Sequence, residues 1–315
     1  MKKNRKSLVV ILLVLILLTG CTKTLTTQDK KAVRNPETGQ SLTENILCRP
    51  KDKDTIKIYE DNKVNIENLP ECKNFKVNSG GYEGLWTSIF VKPLAWVIIQ
   101  IGNIVKNYGL SLVIVSLIIR LIAFPVTRKT AMQSEMLKNA KPELDKLEKK
   151  YKDKTDQESL MKKNQEMMLI YKKYNVNPVS GCLFSFIQLP LFIAFLEAIN
   201  RTPAIFEGKF LGLELGTTPL FALSGGKIYY IILPILVLVV TYFSFKLNGT
   251  QATDDSNPAA ASTKMMMNVM IIVITISSFQ LSTAIGLYWI TSSLFTVVQN
   301  LLVKRSGNNA RIKKS

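Results

Sequence analysis

The residue best placed to do chemistry in this sequence is Arg120, which interrupts an apolar run from Gly109 to Val126. That run is long enough to cross a bilayer as a helix, and Arg120 lies near its middle. A charge at this depth costs at least about 2.5 kcal/mol, so it requires a water-filled cavity or a partner. Ser116 precedes Arg120 by about one helical turn, and both side chains project from the same face. The two residues predict a hydrated polar pocket inside the membrane.

A membrane could also accommodate Arg120 in two simpler ways. Its side chain could snorkel to an interface from a position near a helix end, or a buried glutamate could neutralise it. Glu197 is the candidate acid, although it closes its own apolar segment on the outer side. Because charges inside membranes usually serve a function, the hydrated pocket is the preferred interpretation.

The composition argues against most kinds of active site. The chain has no histidine, which removes histidine-dependent catalysis together with the commonest metal ligand. The four cysteines have no metal-binding spacing and there is no Walker motif, so we expect neither a cofactor nor an enzyme. An intramembrane protease would need aspartates or a Ser–His pair, and the apolar segments contain no aspartate. A small-solute transporter or channel with an arginine at mid-membrane is the remaining alternative, although the sequence shows no internal repeat.

Five apolar segments must position this pocket, since each approaches the roughly 20 residues that span a bilayer. They lie at about 109–127, 179–198, 228–247, 265–280 and 284–303. The earlier segment 86–106 has apolar residues on a helical period, polar residues between them, two tryptophans and a proline. This pattern favours an amphipathic helix in the outer interface, with a true transmembrane helix as the alternative. The predicted fold class is an all-α membrane protein with five transmembrane helices.

The charge distribution orients these helices. The net charge is +18, and residues 128–176 hold 13 Lys/Arg against 8 Asp/Glu. Apolar side chains recur there on helical spacing before and after a charged break, which predicts a helical hairpin. Its five methionines either join the two helices or form an adaptable apolar surface. Five spans place this hairpin and the basic tail, 306–315, in the cytoplasm, in agreement with the positive-inside rule.

The N-terminus has the pattern of a bacterial lipoprotein. Residues 1–20 combine a basic start with an apolar stretch, and small residues precede Cys21, as in a signal peptide whose cysteine is lipidated. Residues 21–85 are polar and nearly charge-balanced, which predicts an extracytoplasmic linker with at most a small local fold, such as short strands around Thr55–Tyr59. Cys48 and Cys72 lie in this linker, where a disulfide and two free thiols are both compatible with the sequence.

Three motifs in this order resemble the YidC insertases of bacteria, in the lipoprotein form with five spans. They are NYGLSLVIVSLIIRLIAFPVTR at 107–128, YNVNPVSGCLFSFIQLPLFIAF at 174–195 and GLYWITSSLF at 286–295. The resemblance covers about residues 80–305, with an insertase core at 107–305, and does not extend to the linker. The family often has a proline in the turn before the last span, whereas this chain reads QLSTAIG at 280–286.

The resemblance implies both a site and a set of partners. Arg120 and Ser116 match positions in the hydrophilic groove of the family, and Gln188, Tyr288 and Trp289 match further positions on its groove side. Such a protein inserts integral membrane proteins and helps them to fold, without nucleotide hydrolysis. The implied clients are nascent membrane proteins with acidic translocated segments. The hairpin would meet the clients and the signal-recognition targeting machinery. The lipid bilayer, the Sec translocon and the ribosome are further implied partners, and DNA is not. The implied location is the bacterial cell membrane, with the mature N-terminus outside and the C-terminus in the cytoplasm.

Overall fold

The computed structural model describes residues 22–152, 154, 156–177, 180–247 and 258–312. The predicted signal peptide, Cys21 and the side chains of the basic tail lie outside the described residues. The described chain divides into two compact units. The first contains residues 22–117, 189–235 and 276–291, and the second contains 118–188, 236–275 and 292–312.

The chain is predominantly helical. In chain order the α-helices are α1 Lys53–Asp61, α2 Lys92–Val105, α3 Tyr108–Lys150, α4 Gln157–Lys173, α5 Ser180–Asn200, α6 Pro203–Phe206, α7 Pro219–Ser224, α8 Ile232–Leu247, α9 Pro258–Gln280 and α10 Thr283–Ile312. A π-helical turn, Thr87–Val91, leads into α2. Short 3-10 helices lie at Cys72–Asn74 and Ile228–Ile231. The strands are β1 Lys209–Phe210 and β2 Leu213–Glu214, which pair antiparallel with Lys209 opposite Glu214.

Four helical stretches of the described chain are long and apolar enough to cross a membrane. They are Thr87–Val105, Tyr108–Lys150, Ile228–Leu247 and Thr283–Arg305. Two shorter apolar stretches, Gln188–Asn200 and Met265–Gln280, belong to α5 and α9. The protein is therefore an all-α membrane protein, in agreement with the prediction from the sequence. The first of these stretches coincides with the predicted interfacial segment, and its length also suits a span.

Residues 22–85, predicted to be a linker, form a small folded domain of the first unit. Its core consists of buried apolar side chains, which are Leu25, Leu42, Ile46, Tyr59 and Ile66. Isolated β-bridges such as Thr24 with Thr43 join its turns, and Cys48 and Cys72 form a disulfide with a Cα–Cα distance of 4.8 Å. These residues are hereafter called the N-terminal domain.

The predicted short strands around Thr55–Tyr59 are wrong, because this segment is helix α1. Asp52 caps the helix, since its carboxylate accepts hydrogen bonds from the backbone N–H and the hydroxyl of Thr55, both at 2.8 Å. β-branched residues suggested a strand, but the cap and the burial of Thr55 and Tyr59 on one face favour the helix.

The turn between α9 and α10 occupies residues 281–282, where the motif lacks the family's proline. Backbone hydrogen bonds fix the start of α10 instead. The N–H of Thr283 donates to the carbonyl of Thr217, and that of Ala284 donates to Leu215, both at 2.9 Å. The loop that follows α5 therefore holds the first residues of α10 in place by hydrogen bonds.

In the second unit, the C-terminal part of α3 packs antiparallel to α4. Ion pairs join the two helices along their length, and they are Glu143–Lys173, Glu148–Lys163 and Lys150–Glu166 at 2.5, 2.7 and 2.7 Å. Three of the five methionines contribute little to this contact, since Met132, Met161 and Met168 are 40%, 59% and 47% exposed. Ala140 and Leu147 are buried in the same hairpin, so the contact combines ion pairs with apolar packing, and the three methionines form part of the outer surface.

Candidate functional site

The guanidinium of Arg120 is held in the second unit by side chains from two other helices. Arg120 lies on α3, is only 6% exposed, and donates from Nε to the hydroxyl oxygen of Ser292 on α10 at 2.7 Å. Its Nη2 donates to the amide oxygen of Gln188 on α5 at 2.5 Å and also contacts Ser292. The structure thus brings together Arg120 and Gln188, two residues that had been selected from the sequence.

Both of these acceptors are neutral. A hydroxyl and an amide oxygen accept hydrogen bonds from the guanidinium and thereby fix its orientation. Arginine stays protonated at any physiological pH and presents its donors in a planar fork that suits carboxylates. The arrangement can therefore offer an oriented positive charge to an anionic group.

Further polar residues continue from Arg120 along the same two helices. The hydroxyl of Thr127 on α3 lies 3.0 Å from the amide oxygen of Gln299 on α10. Between these two sites, Phe124 and Phe295 meet edge to face with ring centroids 6.4 Å apart. On α10, a buried polar stripe recurs at helical spacing, comprising Ser292, Thr296, Gln299 and Asn300. Polar side chains buried in an otherwise apolar helix pair with one another or line a water-filled cavity.

Ser292 was not selected from the sequence, although a signal was present. It lies within the third motif, four residues after Tyr288, and the buried polar positions of α10 follow it at helical intervals. A single serine is common in membrane helices, where its hydroxyl can bond to its own backbone, so only the stripe distinguishes this one.

The other predicted site residues belong to the first unit. Ser116 is buried, and its hydroxyl donates to the backbone carbonyl of Leu112 at 2.6 Å. Tyr288 is 1% exposed and stacks on Phe195 with ring centroids 4.1 Å apart. Trp289 is half-buried and meets Phe192 edge to face at 5.0 Å. The two aromatic residues therefore take part in packing between α5 and α10.

A second buried arginine, Arg201, was not selected from the sequence. Its side chain is 1% exposed and lies in the first unit, where it pairs with the carboxylate of Glu83. Its Nε donates to the backbone carbonyl of Asn45 at 2.6 Å, and its Nη1 donates to the hydroxyl of Thr87 at 3.3 Å. Its Nη1 also lies 3.9 Å from a carboxylate oxygen of Glu197.

Glu197 is the acid that the sequence offered as a partner for Arg120. Besides its approach to Arg201, it accepts a hydrogen bond of 2.9 Å from the indole N–H of Trp86. Lys92 extends the same polar cluster, since its buried ammonium lies 2.9 Å from Glu83. Glu197 thus belongs to a polar cluster of the first unit.

No group of three or more His, Cys, Asp or Glu side chains in the described part of the chain could hold a metal ion.

Comparison with known proteins assigns this architecture to a family. A model of the 60Kd inner membrane protein family matches residues 100–310. The membrane protein insertase YidC of Oceanobacillus iheyensis is 35% identical over 226 residues, which cover 71% of this chain and 85% of that protein. YidC 2 of Bacillus anthracis is 36% identical, with coverage of 70% and 82%. The membrane protein insertase MisCA of Bacillus subtilis is 36% identical, with coverage of 70% and 79%.

Proposed function

The chain belongs to the 60Kd inner membrane protein family, and on this premise we propose that it is a membrane protein insertase. It inserts integral membrane proteins into the bilayer and helps them to fold. The observation that carries the mechanism is the buried guanidinium of Arg120, oriented by Ser292 and Gln188. A guanidinium that stays protonated and is held in a fixed orientation suits a site that attracts an anionic group from another molecule.

Insertion is limited by the cost of moving polar groups through hydrocarbon. We propose that a groove, open to the cytoplasm and to lipid, shortens that path for the translocated segment of the client. In a partly dry groove the charge of Arg120 attracts an acidic segment more strongly than it would in bulk water, which offsets part of the desolvation cost. The polar residues that continue along α10 would solvate the segment on its way.

The driving force in this proposal is the hydrophobic effect, and no nucleotide is hydrolysed. The apolar helix of the client leaves the groove sideways and enters lipid, where burial of its side chains is favourable. The acidic segment is thereby carried to the outer side. Arg120 lowers the barrier but does not determine the final equilibrium.

The proposed topology places the N-terminal domain outside, the five segments 109–127, 179–198, 228–247, 265–280 and 284–303 across the membrane, and segment 86–106 in the outer interface. The hairpin 128–176 and the C-terminus are then cytoplasmic, as their excess of basic residues favours. Lipidation of Cys21 would anchor the N-terminal domain to the outer leaflet. Exposed methionines on the hairpin suit contacts with apolar segments of varied shape, so we propose that it receives clients and targeting factors.

The function is tested with the purified protein in lipid vesicles and a small client that has an acidic translocated N-terminus. Protease protection of that N-terminus measures insertion, in the absence of nucleotide. A matched client, with Asn and Gln in place of the acids, separates charge recognition from general insertion. We expect efficient insertion of the acidic client, and no effect of added ATP. Equal insertion in protein-free vesicles would contradict the proposal, and flux of a small solute without client insertion would favour the transporter alternative.

A further inference from the structure

The loop that follows α5, residues 201–218, lies between two parts of the first unit. It is hereafter called the outer loop. On one side it contacts the N-terminal domain, which is far away in the sequence, and on the other it contacts the start of α10. Neither the motifs nor the family match at residues 100–310 includes the N-terminal domain, so its role must be derived from these contacts.

The first set of contacts is made where α5 ends. The backbone N–H of Leu47 donates to the carbonyl of Arg201 at 2.7 Å, and the Nε of Arg201 donates back to the carbonyl of Asn45 at 2.6 Å. The hydroxyl of Thr43 donates to the carbonyl of Asn200 at 3.3 Å. These bonds satisfy carbonyls at the C-terminus of α5 that have no partner within the helix.

The second set of contacts is made by Glu207. Its carboxylate accepts hydrogen bonds from the backbone N–H groups of Lys51 and Asp52, at distances of 3.1 to 3.2 Å. These donors stand just before α1 and lie within three to four residues of the disulfide at Cys48. A carboxylate that binds two backbone donors fixes the loop to the part of the N-terminal domain that lies next to the disulfide.

The third set of contacts is made at the end of the outer loop. The N–H of Thr218 donates to the carbonyl of Thr38 at 3.0 Å. Gly39, with φ of +70°, approaches Phe221 so closely that a Cβ on Gly39 would lie 2.5 Å from a side-chain carbon of Phe221. The outer loop is thus held at its beginning, its middle and its end.

The opposite side of the outer loop carries the beginning of α10. The carbonyls of Leu215 and Thr217 accept the N–H groups of Ala284 and Thr283, and Thr217 also accepts the hydroxyl of Thr283 at 2.8 Å. Tyr288 follows within about one helical turn and stacks on Phe195 of α5. Displacement of the outer loop would therefore move Tyr288 relative to Phe195.

We propose that the N-terminal domain is a clamp that holds the outer loop and, through it, positions the start of α10 with Tyr288 and Trp289. The domain acts on these residues without touching a client, so its members are positioning residues. The consequence for insertion rests on the proposed function, but the mechanical coupling does not. The N-terminal domain suits this task because its apolar core and its disulfide make local unfolding less favourable than in a loop that lacks them.

The clamp is tested by hydrogen exchange, followed by mass spectrometry, on the full chain in detergent or nanodiscs. Glu207→Ala removes the acceptor of two N–H groups, and Gly39→Ala disturbs the contact with Phe221 at the other end of the loop. Both variants should exchange roughly tenfold faster in peptides 208–218 and 281–288, which for Glu207→Ala corresponds to the loss of about one charge-assisted hydrogen bond. Peptides of α1 should keep their protection. The control Glu67→Ala alters an exposed carboxylate of the same domain and should change neither peptide.

The clamp is overturned if both variants accelerate exchange in the outer loop while residues 281–288 exchange as in the wild type. It is equally overturned if both variants leave the outer loop unchanged. Failure of the proposed function is distinguishable, because a wild-type protein that inserts no client could still show the coupled exchange. If both ideas hold, Glu207→Ala should insert clients several-fold more slowly than the Glu67→Ala control.

Discussion

The two buried arginines in the described part of the chain differ in the groups that surround them. Arg201 lies among carboxylates, with Glu83 in contact and Glu197 at 3.9 Å, and it also binds backbone. The groups that bind Arg120 include a serine hydroxyl and a glutamine amide oxygen. Both side chains are almost inaccessible, at 1% and 6% exposure, so burial alone does not distinguish them.

The difference indicates separate roles. Carboxylates neutralise Arg201 within the protein, and loss of the arginine leaves the buried Glu197 poorly solvated. The hydroxyl and the amide that bind Arg120 are neutral, so removal of the arginine leaves neither of them as an unpaired charge. Arg201 should therefore matter for stability and Arg120 for activity. Substitutions at each residue can separate the two roles.

The largest effect is expected for Arg120→Ala, which should nearly abolish insertion of clients with acidic tails while the protein remains folded. Arg120→Lys should retain much of the activity because it keeps a charge, and Arg120→Glu should be worse than alanine because it repels the tail. Protease protection of the client tail measures insertion, and size-exclusion chromatography in detergent checks folding.

Arg128→Ala is the matched control, since it removes an exposed arginine from the same helix. Normal insertion by a stable Arg120→Ala protein would show that Arg120 is not needed for activity. If Arg120→Ala were instead poorly folded, Arg120 would resemble Arg201 and the groove mechanism would lose its basis.

The second effect concerns Arg201→Ala, which should lower the free energy of unfolding by about 3 kcal/mol because Glu197 and Glu83 lose their guanidinium. Thermal unfolding in detergent, followed by circular dichroism, measures the change. Arg49→Ala removes an exposed arginine of the N-terminal domain and should be nearly neutral. An Arg201→Ala protein as stable as this control would show that the cluster contributes no net stability.

A smaller effect is expected for Ser292→Ala, which removes one acceptor that orients Arg120. Insertion should slow by about fivefold, equivalent to ~1 kcal/mol, with unchanged stability. The neighbouring Ser293→Ala provides a control on the same helix. If Ser292 were needed only for packing, the variant would unfold at a lower temperature and its insertion rate per folded molecule would not change.

The smallest effect is a pH dependence at Glu207, in the first unit. Burial raises the pKa of Glu207 despite the backbone N–H groups of Lys51 and Asp52, which act in the opposite direction. The folded protein therefore binds this proton more tightly than the unfolded chain does. Protonation of Glu207 therefore stabilises the folded state at pH values below the ordinary glutamate range, and this stabilisation is lost as the pH rises through the raised pKa. Glu207→Gln should flatten this part of the curve of unfolding temperature against pH, and an unchanged slope would contradict the assignment.

The sequence predicted the membrane helices and Arg120 because long apolar runs, and a charge within one of them, are local signals. Gln188 was selected only through the family motif. The pairing of Arg201 with Glu83 was missed because these residues are 118 positions apart and each looks like an ordinary charge in a polar segment. The sequence predicted at most a small local fold before residue 86, and the extent of the N-terminal domain was not recognised for a related reason. Its apolar residues are spread over turns and β-bridges, without the periodicity of a helix or a strand.

The contacts of the N-terminal domain also set an order for the biogenesis of the protein. The N–H of Lys51 cannot donate to Glu207 until Glu207 has been synthesised, 156 residues later. The opposite side of the outer loop likewise stays uncovered until Thr283 has been synthesised. The N-terminal domain, which leaves the ribosome first in the described chain, is therefore among the last parts to complete its contacts. Until then its docking face, with unpaired backbone donors at Leu47, Lys51 and Asp52, is open to water and to proteases. A nascent chain arrested before the outer loop should expose this face, and cleavage there would report how far assembly has advanced.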